Sequence, residues 1–362
     1  MARVAGVVTN HCAPDPRVLR EARWLVEAGH EVTVHAFDRL ENLPQEEFID
    51  GVRIIRHRVG LTPYGGTWQT ARGIRKYRKA LVEVIQGVDL IHCHDADTLP
   101  VGMRIGTIPV LFDMHDLHHT WIMMPNPRSL FRRIIADRYL SAMLRDARKA
   151  SAVITSSEGF QSWLAERGIT SSVVENRPER RAALPQAEGF TVGYLGRIRE
   201  QASFQFLLRA VKLISEEDRP RLLIAGDGTQ STEVANMVRA AVTEGWLDAE
   251  VFGSFDDDQL AEMMTSVSVM YAMYPPDRGN IVDGALPVKM FEAASFGRPT
   301  VVNRGVPMGD LCESENLGRA VEWGDAQALA TALQELNGTS VQLRHDAGRE
   351  RGRFLGVVES LL

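Results

Sequence analysis

The sequence predicts an α/β protein built as two doubly wound halves, and three observations carry that prediction. The chain has 362 residues, more than one ordinary core accommodates and suited to two domains of about 150 to 200 residues. Short apolar runs alternate with helix-length segments, the rhythm of a parallel sheet covered by helices. That rhythm stops once, in the proline-broken and charged stretch 175–189, and then starts again.

In the first half, residues 4–9, 31–37, 52–59, 89–93, 110–114 and 152–155 read as strands. Most lack alternation, so they are expected to be buried on both faces. Helices are expected at 17–28, 67–86, 129–149 and 158–167. After the hinge, strands are expected at 191–195, 221–226, 250–252, 267–271 and 300–303, with helices at 204–215, 231–244, 257–265, 288–296 and 325–336. This places two Rossmann-like domains at 1–180 and 190–340, facing one another across a cleft. The last segment, 341–362, reads as a charged helix with the option of crossing back to the first domain. In such sheets ligands bind beyond the carboxyl ends of the strands, so the loops after each strand are where chemistry is sought.

Hydrophobic residues make up 44% of the chain and charged residues 24%, the balance of a globular protein in water. No apolar run approaches the 18 residues of a membrane span, and the first run is a strand length followed by polar residues, unlike a secretory signal. Cys12, Cys93 and Cys312 are few and scattered, which suits a reducing cytoplasm and no disulfide framework. Residues 1–181 carry 25 Lys+Arg against 21 Asp+Glu, leaving 16 against 26 for the rest. The first half is thus mildly basic (+4) and the second acidic (−10), with no suggestion of nucleic-acid binding.

The first strand is followed by Asp15, Pro16 and Arg17, not by the G-x-G-x-x-G of a dinucleotide site. At the mouth of a helix these residues favour an anion, or serve simply as an N-cap followed by an N1 proline. The next strands end in histidine and carboxylate: His92, His94 and Asp95, then Asp113, His115 and Asp116. His92 and His94 share a strand face. With no helical His-x3-His pair or cysteine partner, no metal site is expected. Strand-end hydrogen bonding and a role at an acceptor or leaving group both remain open for these groups.

In the second half Gly196 and Arg197 follow a strand, as does the run Ala225-Gly226-Asp227-Gly228. An arginine there suits a pyrophosphate, because it is permanently charged and donates in pairs. Lys289 and Glu292 stand three apart at the start of a helix, a cation for phosphate and a carboxylate for ribose hydroxyls.

In their order these segments resemble the family 4 retaining glycosyltransferases of the GT-B fold. The subgroup is the one with a D-P-R-V first loop, an H-x-H-D segment, a D-x-H-D segment and a P-x-K-x-F-E donor motif. The likeness runs from Val4 to about Val302. It implies that Arg197 and Lys289 flank the diphosphate of a nucleotide-sugar donor and that Glu292 holds its ribose. The backbone around Phe255 would read the base, with Val288, Gly196, Gly226 and Asp283 completing the nucleotide site. His115 would lie near the anomeric carbon, and Asp15, Arg17, His94 and Asp95 on the acceptor side. The implied reaction is sugar transfer with retention and domain closure around the donor, carried by His115, Arg197 and Lys289 with no cofactor and no metal.

Two departures stand out. Gly284 occupies the place of the first acid of the family's Glu-X7-Glu signature, with Asp283 beside it. Ala202-Ser203 stands where a lysine and a glycine usually follow the arginine, so Lys289 or Arg199 would have to supply the second charge. A sugar-nucleotide epimerase or hydrolase on the same fold, or a GT-B subunit that binds nucleotide without transferring, are the alternatives. The acceptor is unidentified. Residues 121–124 and 129–135 read either as a helix packed on the sheet or as an amphipathic surface on the inner face of a membrane.

Overall fold

The computed structural model describes residues 1–62, 67–124 and 126–362, with Thr67 described by its backbone alone. The chain divides into two compact units, Met1–Glu175 with Arg349–Leu362, and Asn176–Gly348.

The first unit runs β1 (Arg3–Val7), α1 (Pro16–Glu27), β2 (Glu31–Phe37), β3 (Glu46–Ile49), β4 (Val52–His57), α2 (Thr67–Val84), β5 (Leu90–His94), α3 (Leu99–Ile105), β6 (Val110–Met114), α4 (His118–Met123), α5 (Leu130–Ala147), β7 (Ala152–Thr155), α6 (Glu158–Ala165) and β8 (Ser172–Val173). Its sheet has the order β3-β4-β2-β1-β5-β6-β7-β8. Every pairing is parallel except β3 on β4. All five residues of β5 and of β6 are buried, as unalternated apolar runs in a helix-covered parallel sheet require. From β1 the chain steps to β2 on one side and later to β5 on the other, so the β1/β5 boundary is the switch point where such sheets open a crevice.

The second unit runs β9 (Thr191–Leu195), α7 (Ala202–Leu213), β10 (Arg221–Ala225), α8 (Ser231–Thr243), β11 (Ala249–Phe252), α9 (Asp257–Ser266), β12 (Val269–Ala272), α10 (Val288–Ser295), β13 (Thr300–Asn303), α11 (Pro307–Ser314), β14 (Gly318–Val321) and α12 (Ala326–Leu336). Its sheet is parallel throughout, in the order β11-β10-β9-β12-β13-β14. Here the switch point lies between β9 and β12.

The last helix, α13 (Ala347–Glu359), closes the first unit. The fully buried Phe354 packs against Trp24 of α1, with ring centroids 5.9 Å apart, and against His92 of β5 at 5.5 Å. Buried Glu350 accepts a hydrogen bond from the Glu175 amide at 2.8 Å.

Among the described residues, β3, α3, α4, β8, α11, β14 and a 3-10 turn at Glu216–Asp218 go beyond the elements expected from sequence. Each has eight residues or fewer, too few to display a period above background. Among the described residues, no helix is long and apolar enough to cross a membrane.

Candidate functional site

Each sheet gathers its chemistry at its switch point. In the first unit Asp15 caps α1, accepting from the Val18 amide at 3.3 Å and from Asn10 Nδ2 at 2.7 Å. Pro16 then starts the helix with no amide to satisfy. That start turns Arg17 inward, where it is 5% exposed. Its Nε and Nη2 donate to the two oxygens of Asp113 at 2.8 and 2.7 Å, and Nη1 donates to the Val174 carbonyl at 2.8 Å. Glu21, one turn along α1, lies 3.2 Å from Nη2.

Asp113 also binds His115, Nε2 to Oδ2 at 2.7 Å. The other side of that ring faces Asp95, Nδ1 to Oδ2 at 3.5 Å, and His94 Nδ1 stands 3.1 Å from His115 Nε2. Burial opposes a charge on His115, but Asp113 and Asp95 outweigh it and raise its pKa to about 9. The ring is an imidazolium clamped between two carboxylates. Asp95 in turn accepts from the His115 amide at 3.1 Å and pairs with His118 Nε2 at 3.3 Å. Despite burial, His118 and His115 hold the Asp95 carboxyl well below the usual range. Against the same cost of burial, Asp95 raises His118 to about 10. Asp95 adopts φ +63° at the end of β5, a left-handed conformation that costs a non-glycine residue about 1–3 kcal/mol and gathers at functional sites.

The acceptor-side expectation needs a correction here. Arg17 and His94, 5% and 3% exposed, face inward and hold other side chains, because the buried Asp113 demands a counter-charge. Asp15, Asp95 and His115 keep exposed surface. Glu21 and His118 were not singled out from sequence. Only the spacing of Glu21, four residues after Arg17 on one helix, pointed to its pairing.

Among the described residues, Glu21, His92, His94 and Asp113 bring potential metal ligands within 4.8 Å of one another. There the Arg17 guanidinium pairs with both Asp113 and Glu21, and burial raises the Glu21 carboxyl pKa to about 8, so a divalent ion would have to displace that cation and the Glu21 proton.

In the second unit β9 ends at Gly196 and β10 at Gly226, both with positive φ. A Cβ at Gly226 would lie 1.9 Å from the Gly196 carbonyl oxygen, so only glycine lets the two loops approach this closely. Helix α10 starts behind Pro287 with no side-chain cap; the Met290 amide donates to the Pro287 carbonyl at 3.0 Å, and the Val288 and Lys289 amides before it suit an anion. From its first turn Lys289 crosses to this cradle, with Nζ 3.4 Å from the position a Cβ would take at Gly196 and 3.2 Å from the centroid of Tyr194. Lys289 is 8% exposed, and its Nζ has no hydrogen-bond partner. Burial, aided by the charge of Arg278, pushes its pKa down to about 7.

Arg278, from the loop between β12 and α10, stacks on Tyr274 with Cζ 4.6 Å from the ring centroid and pairs with Glu200 at 3.1 Å. Sequence reading missed Tyr194, Arg278 and Glu200, because nothing in local spacing joins β9 and the loop after it to the loop after β12.

Arg197 is largely exposed and pairs with Asp227 at 2.8 Å, beside Lys289's glycine but directed to the β10 loop. Glu292, a turn after Lys289, is partly buried, and burial raises its carboxyl pKa. Val288 is exposed at the start of α10, Phe255 packs partly on the Leu260 and Met264 cluster, and Asp283 is half-buried. Gly284 adopts φ +128°, a path that side chains rarely follow. Ser203 is buried and donates to the Met273 carbonyl at 2.7 Å, so the Ala202-Ser203 position belongs to the core.

Comparison with known proteins agrees with this architecture. Residues 17–178 match the Glycosyltransferase Family 4 model and residues 189–338 the Glycosyl transferases group 1 model. The chain is 25% identical over 352 residues to the succinoglycan biosynthesis protein ExoL of Rhizobium meliloti, covering 89% of this chain and 82% of that protein. It is 25% identical over 296 residues to 2-deoxystreptamine glucosyltransferase of Streptomyces kanamyceticus, covering 70% and 73%. Among solved structures, sucrose-phosphate synthase of Thermosynechococcus elongatus superposes with a TM-score of 0.76 at 18% identity, covering 100% of this chain and 96% of that one. Anabaena Alr3699/HepE in complex with UDP-glucose superposes with a TM-score of 0.69 at 16% identity over the whole of both chains. With a family 4 domain followed by a group 1 domain on a GT-B fold, the chain belongs to the glycosyltransferases.

Proposed function

We propose that the enzyme transfers a sugar, with retention and without a metal, from a nucleoside diphosphate sugar held by its second unit. The observation that carries this reading is Lys289, a buried cation without a partner, beside a glycine cradle and the uncapped start of α10. A diphosphate leaving group supplies the missing counter-charge, and the first amides of α10 extend the same stabilisation. Arg197, freed from Asp227, adds a further donor. Glu292 takes the ribose hydroxyls, with Phe255, Val288, Gly226 and Asp283 around the nucleotide. Alr3699/HepE, bound to UDP-glucose in its structure, makes UDP-sugars the first donors to try.

In the first unit His115 orients the reacting sugar or the incoming hydroxyl, with Asp15 and Asp95 on the acceptor side. Arg17 and His94 act through Asp113 by fixing the His115 ring. The reading is tested by assaying Arg197→Ala and Glu292→Ala for sugar transfer with a panel of donors and acceptors. Loss of most transfer with unchanged melting is expected, whereas near-normal rates in both variants would refute the assignment. Conversion of the donor with no acceptor present would favour an epimerase or hydrolase instead.

For the acceptor, a lipid-linked sugar at an anionic membrane surface fits the start of α5. Leu130, Phe131 and Ile134 are 76%, 63% and 53% exposed, and the exposed Arg128, Arg133 and Arg138 accompany them. Apolar side chains among cations are the composition of an interfacial helix. Co-sedimentation with anionic but not neutral vesicles, lost in Phe131→Glu, is the expected result.

A further inference from the structure

The donor cradle brings two cations, Lys289 and Arg278, near enough for each to feel the other's charge. Lys289 and Arg278 are both largely buried, and Glu200 is the carboxylate paired with Arg278. Three polar atoms here lack hydrogen-bond partners: Lys289 Nζ, Arg278 Nε and Glu200 Oε2. Buried polar atoms are nearly always satisfied, so three close together mark a place prepared for something else. Two cations and two orphan donors specify an anion with several oxygens. The Arg278 guanidinium lies over the Tyr274 ring with Nη1 on Glu200 and Nε unpartnered, and arginine grips phosphate through paired donors.

The sequence pattern makes the same demand from the opposite direction. The helix start at Ala202-Ser203 has no cation, and Ser203 is tied into the core by Met273. Arg197, the other expected charge, is directed at Asp227. Arg278 comes from a different loop, the one following β12 at the switch point of this sheet.

Resting on the donor reading above, we propose that Arg278 is the second cation for the donor's diphosphate, held ready by Glu200 and the ring of Tyr274. On binding, its Nε and Lys289 Nζ take phosphate oxygens while Glu200 keeps the guanidinium oriented. The existing mutual repulsion, by which Arg278 helps to depress the pKa of Lys289, is relieved by the same anion.

The test is calorimetric titration of the full chain with UDP, ADP and GDP and with the matching monophosphates. The wild-type protein is expected to prefer the diphosphate of its base over the monophosphate by at least about tenfold, since each charge-assisted contact contributes on that scale. Arg278→Ala should weaken the diphosphate about tenfold and leave the monophosphate within about threefold, erasing the preference. Arg278→Gln, which removes the charge but keeps a polar side chain beside Tyr274, should do the same with unchanged melting. A full diphosphate preference in either folded variant would overturn the role of Arg278. Failure of the wild-type protein to bind any of the six nucleotides would instead overturn the donor reading on which it rests.

Discussion

The two units bury charge in opposite ways. In the first, Arg17 answers Asp113 and Glu21, His115 answers Asp113 and Asp95, and His118 answers Asp95. In the second, Lys289 lies over aromatic rings with its Nζ unpartnered. The paired groups fix the orientation of His115, while at the edge of the network both Glu21 oxygens and His92 Nε2 lack hydrogen-bond partners. An open cation lowers the stability of its own unit and leaves interaction energy available to whatever anion arrives. The contrast separates a positioning device from a binding one, although both lie at sheet switch points.

The contrast can be broken most severely in the first unit. Asp113→Asn leaves Arg17 and His115 without their shared counter-charge, and the expected loss of stability is about 3–5 kcal/mol, measured by urea denaturation. An unchanged midpoint would mean that the network is not paired as described. Lys289→Met is the converse experiment. It should cost no stability, or raise the melting temperature, while reducing transfer by about 100-fold or more, the scale of one lost transition-state donor. A lower melting temperature with normal transfer would reverse the roles assigned to the two units.

Acidity sharpens the comparison further. His115 and His118 have raised folded pKa values of about 9 and 10, so the native first unit holds more protons than the unfolded chain. Their contribution is complete below the ordinary histidine value of about 6.5 and is lost as pH rises through 9 to 10. Lys289, depressed to about 7, holds fewer protons in the native state, so its effect has the opposite sign. Between pH 7 and 10.5 it makes the second unit more resistant as pH increases. Hydrogen exchange, corrected for intrinsic rates and read separately over residues 90–118 and 190–300, should diverge between pH 7 and 9. Parallel trends would contradict the assignment. The smallest effect is a proton balance. At pH 8 a bound nucleoside diphosphate should restore the charge on Lys289 with uptake of about one proton, visible as a dependence of the calorimetric heat on buffer ionisation. Near pH 6, where Lys289 is already charged, its uptake should vanish.

Much of this architecture was legible in the sequence, because long unalternated strands such as 110–114 and 191–195 coincide with β6 and β9. The order of the strand-end motifs also led to the right enzyme class. What sequence could not supply was direction. Arg17 beside Asp15 reads as a charge at a helix mouth, yet the twelve-residue α1 turns it into the core, where Asp113, 96 positions away, binds it. Lys289 and Glu292 declared themselves by spacing on one helix, whereas Arg278 and Glu200 meet across 78 positions with no local pattern to announce them. The missing acid at Gly284 was visible as a letter, but the backbone there, at φ +128°, was not.

The return of α13 to the first unit has a consequence for how the protein is made. The second unit, 176–348, is contiguous, and all of it leaves the ribosome before Phe354 does. The first unit, although synthesised first, lacks the side chain that covers Trp24 and His92 until α13 emerges. Domains ordinarily mature in the order of their synthesis, but here the earlier half must wait with its histidine cluster uncovered. A nascent chain stalled with residue 348 at the tunnel exit should therefore carry a protease-resistant second unit joined to a sensitive first one. Release of the final helix would make the first unit resistant as well.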